Sequence, residues 1–302
     1  MPEMKSAGQS GSSMESSKTM GVGGGDDSVK RPREASDAAV LTADTITKLP
    51  AEATGAVVVS GSHGGLYPGT LAAKARVRAV ILNDAGIGKD EAGIASLHLL
   101  ERFGIAAAAV SHMSCRIGDT ADMIDRGVIS HANAPARACG VTGGMSCREA
   151  AEALRKAPLA APDVPTLVEG RSEVQVPAAH RRVILLDSAA LVRPDDSGHI
   201  VVTASHGGLV GGNPAMALRT DAFAAVFHDA GIGVDGAGLT RLPALDERGI
   251  AAVTVAASSA RIGEALSVFE EGVVSAANAA AQRLGAQIGR PVRSLLEAWA
   301  RL

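Results

Sequence analysis

Aromatic side chains are scarce: the 302 residues include four Phe, one Tyr and one Trp. That is too few for the stacking platforms of single-stranded nucleic-acid binders or for an aromatic belt at a membrane. Cationic excess is missing too. With 29 Lys and Arg against 32 Asp and Glu the formal net charge is −3, so nothing stands ready to neutralise a phosphate backbone and no nucleic-acid partner is expected. Cysteine is sparse: Cys115, Cys139 and Cys147 are odd in number and lack paired ligand spacing, which argues against a disulfide scaffold and against structural zinc. Neither a metal nor a cofactor is expected, and no strand is followed by a dinucleotide-type G-x-G-x-x-G with its distal acid. Apolar runs such as Ile105–Val110 fall far short of the roughly 20 residues of a membrane-spanning helix. No charged start leads into a hydrophobic signal segment. The expectation is a soluble cytoplasmic protein without a membrane partner, built on Ala, Val, Ile and Leu.

Residues 1–37 are rich in Gly, Ser and Met and contain the cluster Lys30, Arg31, Pro32, Arg33, Glu34. Such a segment buries too little apolar surface to offset its chain entropy, so a disordered tail is expected. The basic cluster, lying near Asp26 and Asp27, reads as a solvated linker.

Self-similarity is what the chain has in abundance. VVVSGSHGGL at 57–66 is matched by IVVTASHGGL at 200–209, an offset of 143. AVILNDAGIG at 79–88 is matched by AVFHDAGIG at 225–233, SCRIGD at 114–119 by SARIGE at 259–264, and GVISHAN at 127–133 by GVVSAAN at 272–278. The reading is of two tandem homologous halves, 38–156 and 181–302, related by a pseudo-twofold axis. A linker at 157–180 carries Pro158, Pro162 and Pro165. Within each half, short β-branched runs at 40–43, 57–60, 77–82 and 105–110, and at 183–186, 200–203, 223–227 and 250–255, read as strands. Helical spacing lies between them at 90–102 and 235–248, with Gly104 and Gly249 at the stop. The fold class is therefore α/β, each half a mainly parallel sheet flanked by helices.

Ligands of open parallel sheets bind beyond the carboxyl ends of the strands, and the distinctive residues fall there. Ser62, His63, Gly64 and Gly65, with Ser205, His206, Gly207 and Gly208, follow the first long strand of each half. Their glycines suit backbone N–H donation to an oxyanion or carboxylate. Asp84 and Asp229 end the next strand and either orient the imidazoles as general bases or cap their own loops. Arg116 and Arg261, beside a helix start, offer a guanidinium fork for an anion or else tie loops together by salt bridges. Cys115, present in one half only, is a candidate nucleophile or a small buried apolar residue. Asn133 and Asn278 are read as polar groups on a helix facing the cleft, or as interhelical hydrogen-bonding groups.

An apolar strand ending in Ser62-His63-Gly64, followed by one ending in Asp84-Ala85, resembles the caspase-like fold with its gingipain relatives. In that family a base His ends one strand and a nucleophilic Cys the next. The resemblance implies the topology and places His63 and His206 at the base position. At the nucleophile position this chain has Gly86 and Gly231, so the resemblance does not bring peptidase activity with it.

Together these features suggest a small-molecule enzyme, a hydrolase or related acid–base catalyst acting at a carbonyl or amide carbon of a small anionic metabolite. His63 and His206 would transfer protons, Asp84 and Asp229 orient them, Arg116 and Arg261 hold the substrate, and Cys115 stand as outside nucleophile. Two alternatives remain at this stage. One is a metabolite-binding or regulatory protein without chemistry; the other is a metal-dependent lyase or hydrolase using His206, His228 and Asp229. The C-terminal stretch 294–302, with Leu295, Leu296 and Trp299 at helical spacing, could be a contact of a homo-oligomer or the closing helix of the second half.

Overall fold

A computed structural model describes residues 38–160 and 163–302; the tail expected to be disordered, 1–37, lies outside the described residues. The β-branched runs do form strands. In the first sheet β1 (Val40–Ala43), β2 (Val57–His63), β3 (Ala79–Asn83) and β4 (Ala106–Val110) pair in parallel in that order, and β5 (Ile129–Ala132) adds antiparallel to β4. In the second, β7 (Val183–Leu186), β8 (Ile200–His206), β9 (Ala224–His228) and β10 (Ala251–Val255) are parallel. There β6 (Arg171–Val174) and β11 (Val274–Ala277) close the two edges antiparallel. The chain is α/β, two mainly parallel sheets flanked by helices.

Alternation along each strand supplies a core to both faces. Val57 and Val59 of β2 and Ile81 of β3 pack with Met123 of α3 (Thr120–Arg126) and with Ala150 and Leu154 of α5 (Cys147–Leu154). Val58, Val80 and Leu82 pack with Ala72 of α1 (Leu66–Lys74) and with Leu97 and Leu100 of α2 (Ala95–Arg102). Small residues fill β4, where Ala106, Ala107, Ala108 and Ala109 alternate between the two clusters. The second half repeats the plan with α6 (Arg241–Asp246) on one face and α7 (Ala265–Glu271) and α9 (Val292–Ala300) on the other.

Three expectations need correction. GVISHAN and GVVSAAN, read as helical, form the edge strands β5 and β11: the N–H groups of Gly127 and Gly272 cap α3 and α7, after which the β-branched residues run back along the sheet. Part of the expected linker is β6, whose polar Arg171-Ser172-Glu173 gave no apolar signal. It is pinned by Arg171 on the fully buried Asp196, Nη2 to Oδ1 2.6 Å. The expected helices at 90–102 and 235–248 open as 3-10 turns, because Asp90, Glu91, Asp235 and Gly236 sit at positive φ. The C-terminal stretch is the closing helix: Leu296 and Trp299 of α9 are buried in the second core, and the Trp299 indole donates to the Leu284 carbonyl at 2.8 Å.

The halves differ after β2 and β8. Residues 66–74 form α1, whereas the matching stretch, with Gly211, Gly212, Asn213 and Pro214, makes two short 3-10 turns; those residues are poor helix formers.

Both sheets lie in one compact unit and meet at their strand-end loops through contacts that come in pairs. The Lys89 N–H donates to the Ala257 carbonyl at 2.8 Å, and the Val234 N–H to the His112 carbonyl at 2.9 Å. Arg116 and Arg126 pair with Asp235, while Arg261 pairs with Asp90. At the centre Gly86 and Gly231 touch backbone to backbone, with Ala85, Ile117, Ala230 and Ile262 packed around them. A Cβ on Gly231 would lie 2.8 Å from the Gly86 Cα, at a φ of +75°. Gly231→Ala is therefore expected to cost about 2 kcal/mol or more in urea unfolding; a loss below about 0.5 kcal/mol would show the seam is looser than this contact implies.

Candidate functional site at the strand ends

A cavity of about 140 Å³ lies at the carboxyl ends of β2 and β8. Its walls carry matched residues from both halves, each pair 143 positions apart: Thr45 and Ser188, Ser62 and Ser205, His63 and His206. A further matched position differs in kind, Tyr67 against Val210, and two residues line it without a matched partner: Arg241, and Glu169 from the segment between the halves.

His63 and His206 reach across the seam. His63 Cε1 lies 3.7 Å from where a Cβ on Gly263 would be, and His206 Cε1 3.4 Å from the same point on Gly118. The His63 Nδ1 accepts the Gly65 N–H at 3.1 Å, so in the neutral ring the proton resides on Nε2, which has no protein partner among the described residues. The buried Nδ1 of His206 has no hydrogen-bond partner among the described residues; the Gly208 amide beside it falls short of hydrogen-bond geometry. Burial, with His228 nearby, lowers His63 to about 3. Burial first, then the charge of Arg241, holds His206 well below the ordinary imidazole range. Both rings are neutral at neutral pH.

Glu169 behaves in the opposite sense. Burial pushes its carboxyl up to about 7, the charge of Asp187 adds to the rise, and hydrogen bonding from Ser188 and Tyr67 offsets part of it. The Tyr67 hydroxyl is raised in turn, by burial and by Glu169. Arg241 is buried, its Nε and Nη1 donating to the carbonyls of His206, Gly208, Met216 and Ala217. Burial alone pulls it down to about 10, and it remains a cation. The Ser62 and Ser205 hydroxyl oxygens accept the N–H groups of Ile46 (3.0 Å) and Ala189 (2.9 Å), each leaving one hydroxyl hydrogen to donate.

The other expected residues lie elsewhere. Asp84 does not meet His63. In the strand register His63 lies opposite Asn83, and the Asp84 Oδ1 accepts the N–H groups of Gly86 and His112 and pairs with the His112 ring at 2.8 Å. Burial pushes this carboxyl up, but those bonds outweigh it and Asp84 sits below the usual range. The Asp229 Oδ1 likewise accepts from Gly231 and Ala257; both aspartates tie their own strand-end loop to the next. Gly64 and Gly207 donate to the Asn83 and His228 carbonyls, and a Cβ on either would strike a carbonyl oxygen at 2.6 or 2.3 Å. With Gly65 held by His63, only the Gly208 N–H of the four is left without a formed bond. These glycines provide room for backbone contact, which is why sequence alone suggested an oxyanion cradle.

Arg116 and Arg261 spend their guanidinium groups on the seam: Arg116 on Asp119, Asp122 and Asp235, Arg261 on Asp90, Glu264 and Glu271. Cys115 is fully buried in the first core, its thiol pushed up to about 12 by burial, which removes the thiolate a nucleophile needs. His228, opposite His206 in the register, accepts from the Ala230 N–H at Nδ1 and contacts the Ala260 carbonyl through Nε2. With both its nitrogens and the Asp229 carboxylate so engaged, the trio His206, His228 and Asp229 is not assembled as a metal site. Among the described residues no group of three or more His, Cys, Asp or Glu is arranged to hold a metal ion.

Asn133 and Asn278 are the N-caps of α4 (Ala134–Ala138) and α8 (Ala279–Arg283) and weld each helix to a strand. The Asn133 Oδ1 accepts from Ala107 and Ala136, and its Nδ2 donates to Leu97 and Ile105; Asn278 repeats all four bonds. Asn133→Ala strands two buried N–H groups and two carbonyls, so it is expected to cost about 3 kcal/mol or more. Urea unfolding checks this, and a cost under about 1 kcal/mol would place the asparagine outside the fold's essential bonds.

No helix among the described residues is long and apolar enough to cross a membrane. Comparison with protein-family models, with curated proteins and with solved structures finds no match.

Proposed function

We propose that the protein is a small-molecule enzyme that performs acid–base chemistry, hydrolysis or a related step, at the carbonyl or amide carbon of a small metabolite held in this cavity. The observation that carries the reading is the convergence of His63 and His206, 143 residues apart, on one cavity with Arg241 and Glu169. Internal duplication belongs to the same reading: an ancestral α/β unit, copied and fused, with the cavity on the pseudo-twofold axis. The matched lining pairs and the reciprocal seam contacts support it.

The roles differ from those expected of a histidine base. A neutral imidazole with its proton on Nε2 is a hydrogen-bond donor that polarises a carbonyl oxygen. Glu169, titrating near 7, is matched to proton transfer at neutral pH. It would take the proton of an attacking water and return it to the leaving group. Tyr67 and Ser188 position that carboxyl. No side-chain nucleophile is required, which accords with the inert Cys115 thiol.

The test is incubation of the purified protein with two- to four-carbon amides and esters, followed by proton NMR. Consumption is expected, with His206→Gln and His63→Gln each lowering turnover about 10²-fold or more. Saturable binding without consumption would replace the enzyme reading by a metabolite-binding one, and unchanged turnover in both variants would remove the histidines from the mechanism.

A further inference from the structure

Arg241 has no counterpart in the first half, where the matching position is Ser96. Its guanidinium is more than nine-tenths buried and borders the cavity. Four backbone carbonyls accept from it: His206 at 3.2 Å and Gly208 at 3.0 Å from Nε, and Met216 at 2.9 Å and Ala217 from Nη1. The Phe227 ring lies 5.1 Å from the guanidinium carbon. Among the described residues no carboxylate pairs with it, and its Nη2 donates to no protein acceptor. A buried cation without counter-charge is costly, and carbonyl dipoles meet only part of that cost. Every other arginine discussed above as a candidate anion holder is consumed by ion pairs at the seam.

Resting on the functional reading above, we infer that Arg241 is the receptor for the substrate's carboxylate and that the substrate is a short acid of two to four carbons bearing a carbonyl or hydroxyl group. The planar guanidinium, held through Nε and Nη1, keeps its Nη2 donors for a ligand of the cavity it lines, enough for one charge-assisted hydrogen bond to a carboxylate oxygen. The size preference comes from the volume. About 140 Å³ is close to the roughly 150 Å³ cavity that accepts one benzene-sized molecule, so about six non-hydrogen atoms of a ligand sit inside it. Ile46, Pro68 and Leu218 give the walls an apolar middle, while Tyr67, Ser188 and Glu169 offer hydrogen bonds to an oxygen at another part of the substrate.

The experiment titrates the intact protein with acetate, propionate and pyruvate, each against its amide, following the imidazole resonances of His206 and His63 by NMR. The acids are expected to shift these resonances saturably, with each amide at least tenfold weaker. Arg241→Lys, which keeps the charge and loses the carbonyl-anchored Nη2 donor, is expected to weaken the acids about tenfold, and Arg241→Met to abolish the preference for acid over amide. Should Arg241→Met fail to fold for want of its four carbonyl contacts, the acid and amide comparison on the unmodified protein still decides. Amides that bind as tightly as acids would overturn the carboxylate assignment and leave the cavity standing as a binding site. No shift with either series would overturn both.

Discussion

Between pH 6.5 and 5.0 the protein is expected to lose roughly 1 to 3 kcal/mol of stability to urea, a sizeable share of the 5–15 kcal/mol typical of a folded chain. His206 and His228 are buried and His63 half-buried in one region, and burial lowers each below the ordinary 6.5, His63 to about 3. For a group whose folded value is depressed, the stabilisation is present above the unfolded value of 6.5 and is lost as pH falls toward the folded one. Below 6.5 the unfolded chain takes up protons that the native rings refuse, at up to about 1.4 kcal/mol per pH unit for each histidine. Glu169 works against them. Its raised value means the native state binds a proton first as pH falls through 7, but it is one half-buried group against three. Urea midpoints measured at half-unit steps check the slope. A flat profile from 6.5 to 5.0 would mean that the imidazoles protonate inside the folded protein, and their role as neutral donors would go with it.

Glu169→Gln is expected to lower turnover by about 10²- to 10⁴-fold, the range for a lost acid–base group. In the unmodified protein the rate should rise with pH through about 7, as the carboxyl loses the proton it must not hold if it is to accept one from water. Asp187, Tyr67 and Ser188 are the groups facing it, and Asp187 raises it while the two hydroxyls lower it. The glutamine variant should lose that pH limb altogether. Since the side chain is half-buried in an irregular segment, the isosteric change should leave unfolding within about 0.5 kcal/mol of the parent. A variant that keeps its rate and its limb near 7 would assign the proton transfer to another group.

The strand cores were legible in the sequence because buried parallel strands of Val, Ile and Ala stand out against glycine-rich turns. β1 and β7 begin and end where the apolar runs do. The strand-end location of His63 and His206 was legible as well, since repetition marked both. What stayed hidden has physical causes. β5 and β11 carry Ser130, His131 and Ser275 on half-exposed edges, so their alternation is weak. β6 is polar because its backbone pairing with β7, not a buried face, holds it. Glu169 gave no signal, because nothing in the segment 163–170 says that it folds back over a cavity. Arg241 could have been noticed, as a charge in one half where the other has Ser96, but comparing the halves favours what they share; of the two readings open for Asp84 and for Arg116, the structure forms the loop cap and the salt bridges. Both halves keep those residues, and what they serve in each is the loop and the seam.

Each imidazole in the cavity lies beside a loop glycine of the opposite half, His63 toward Gly263 and His206 toward Gly118. Neither polypeptide segment, expressed by itself, would possess a finished pocket wall. Severing the chain near residue 165 and co-producing the two fragments should therefore restore the activity proposed above only when they reassociate, a complementation assay built from the protein itself.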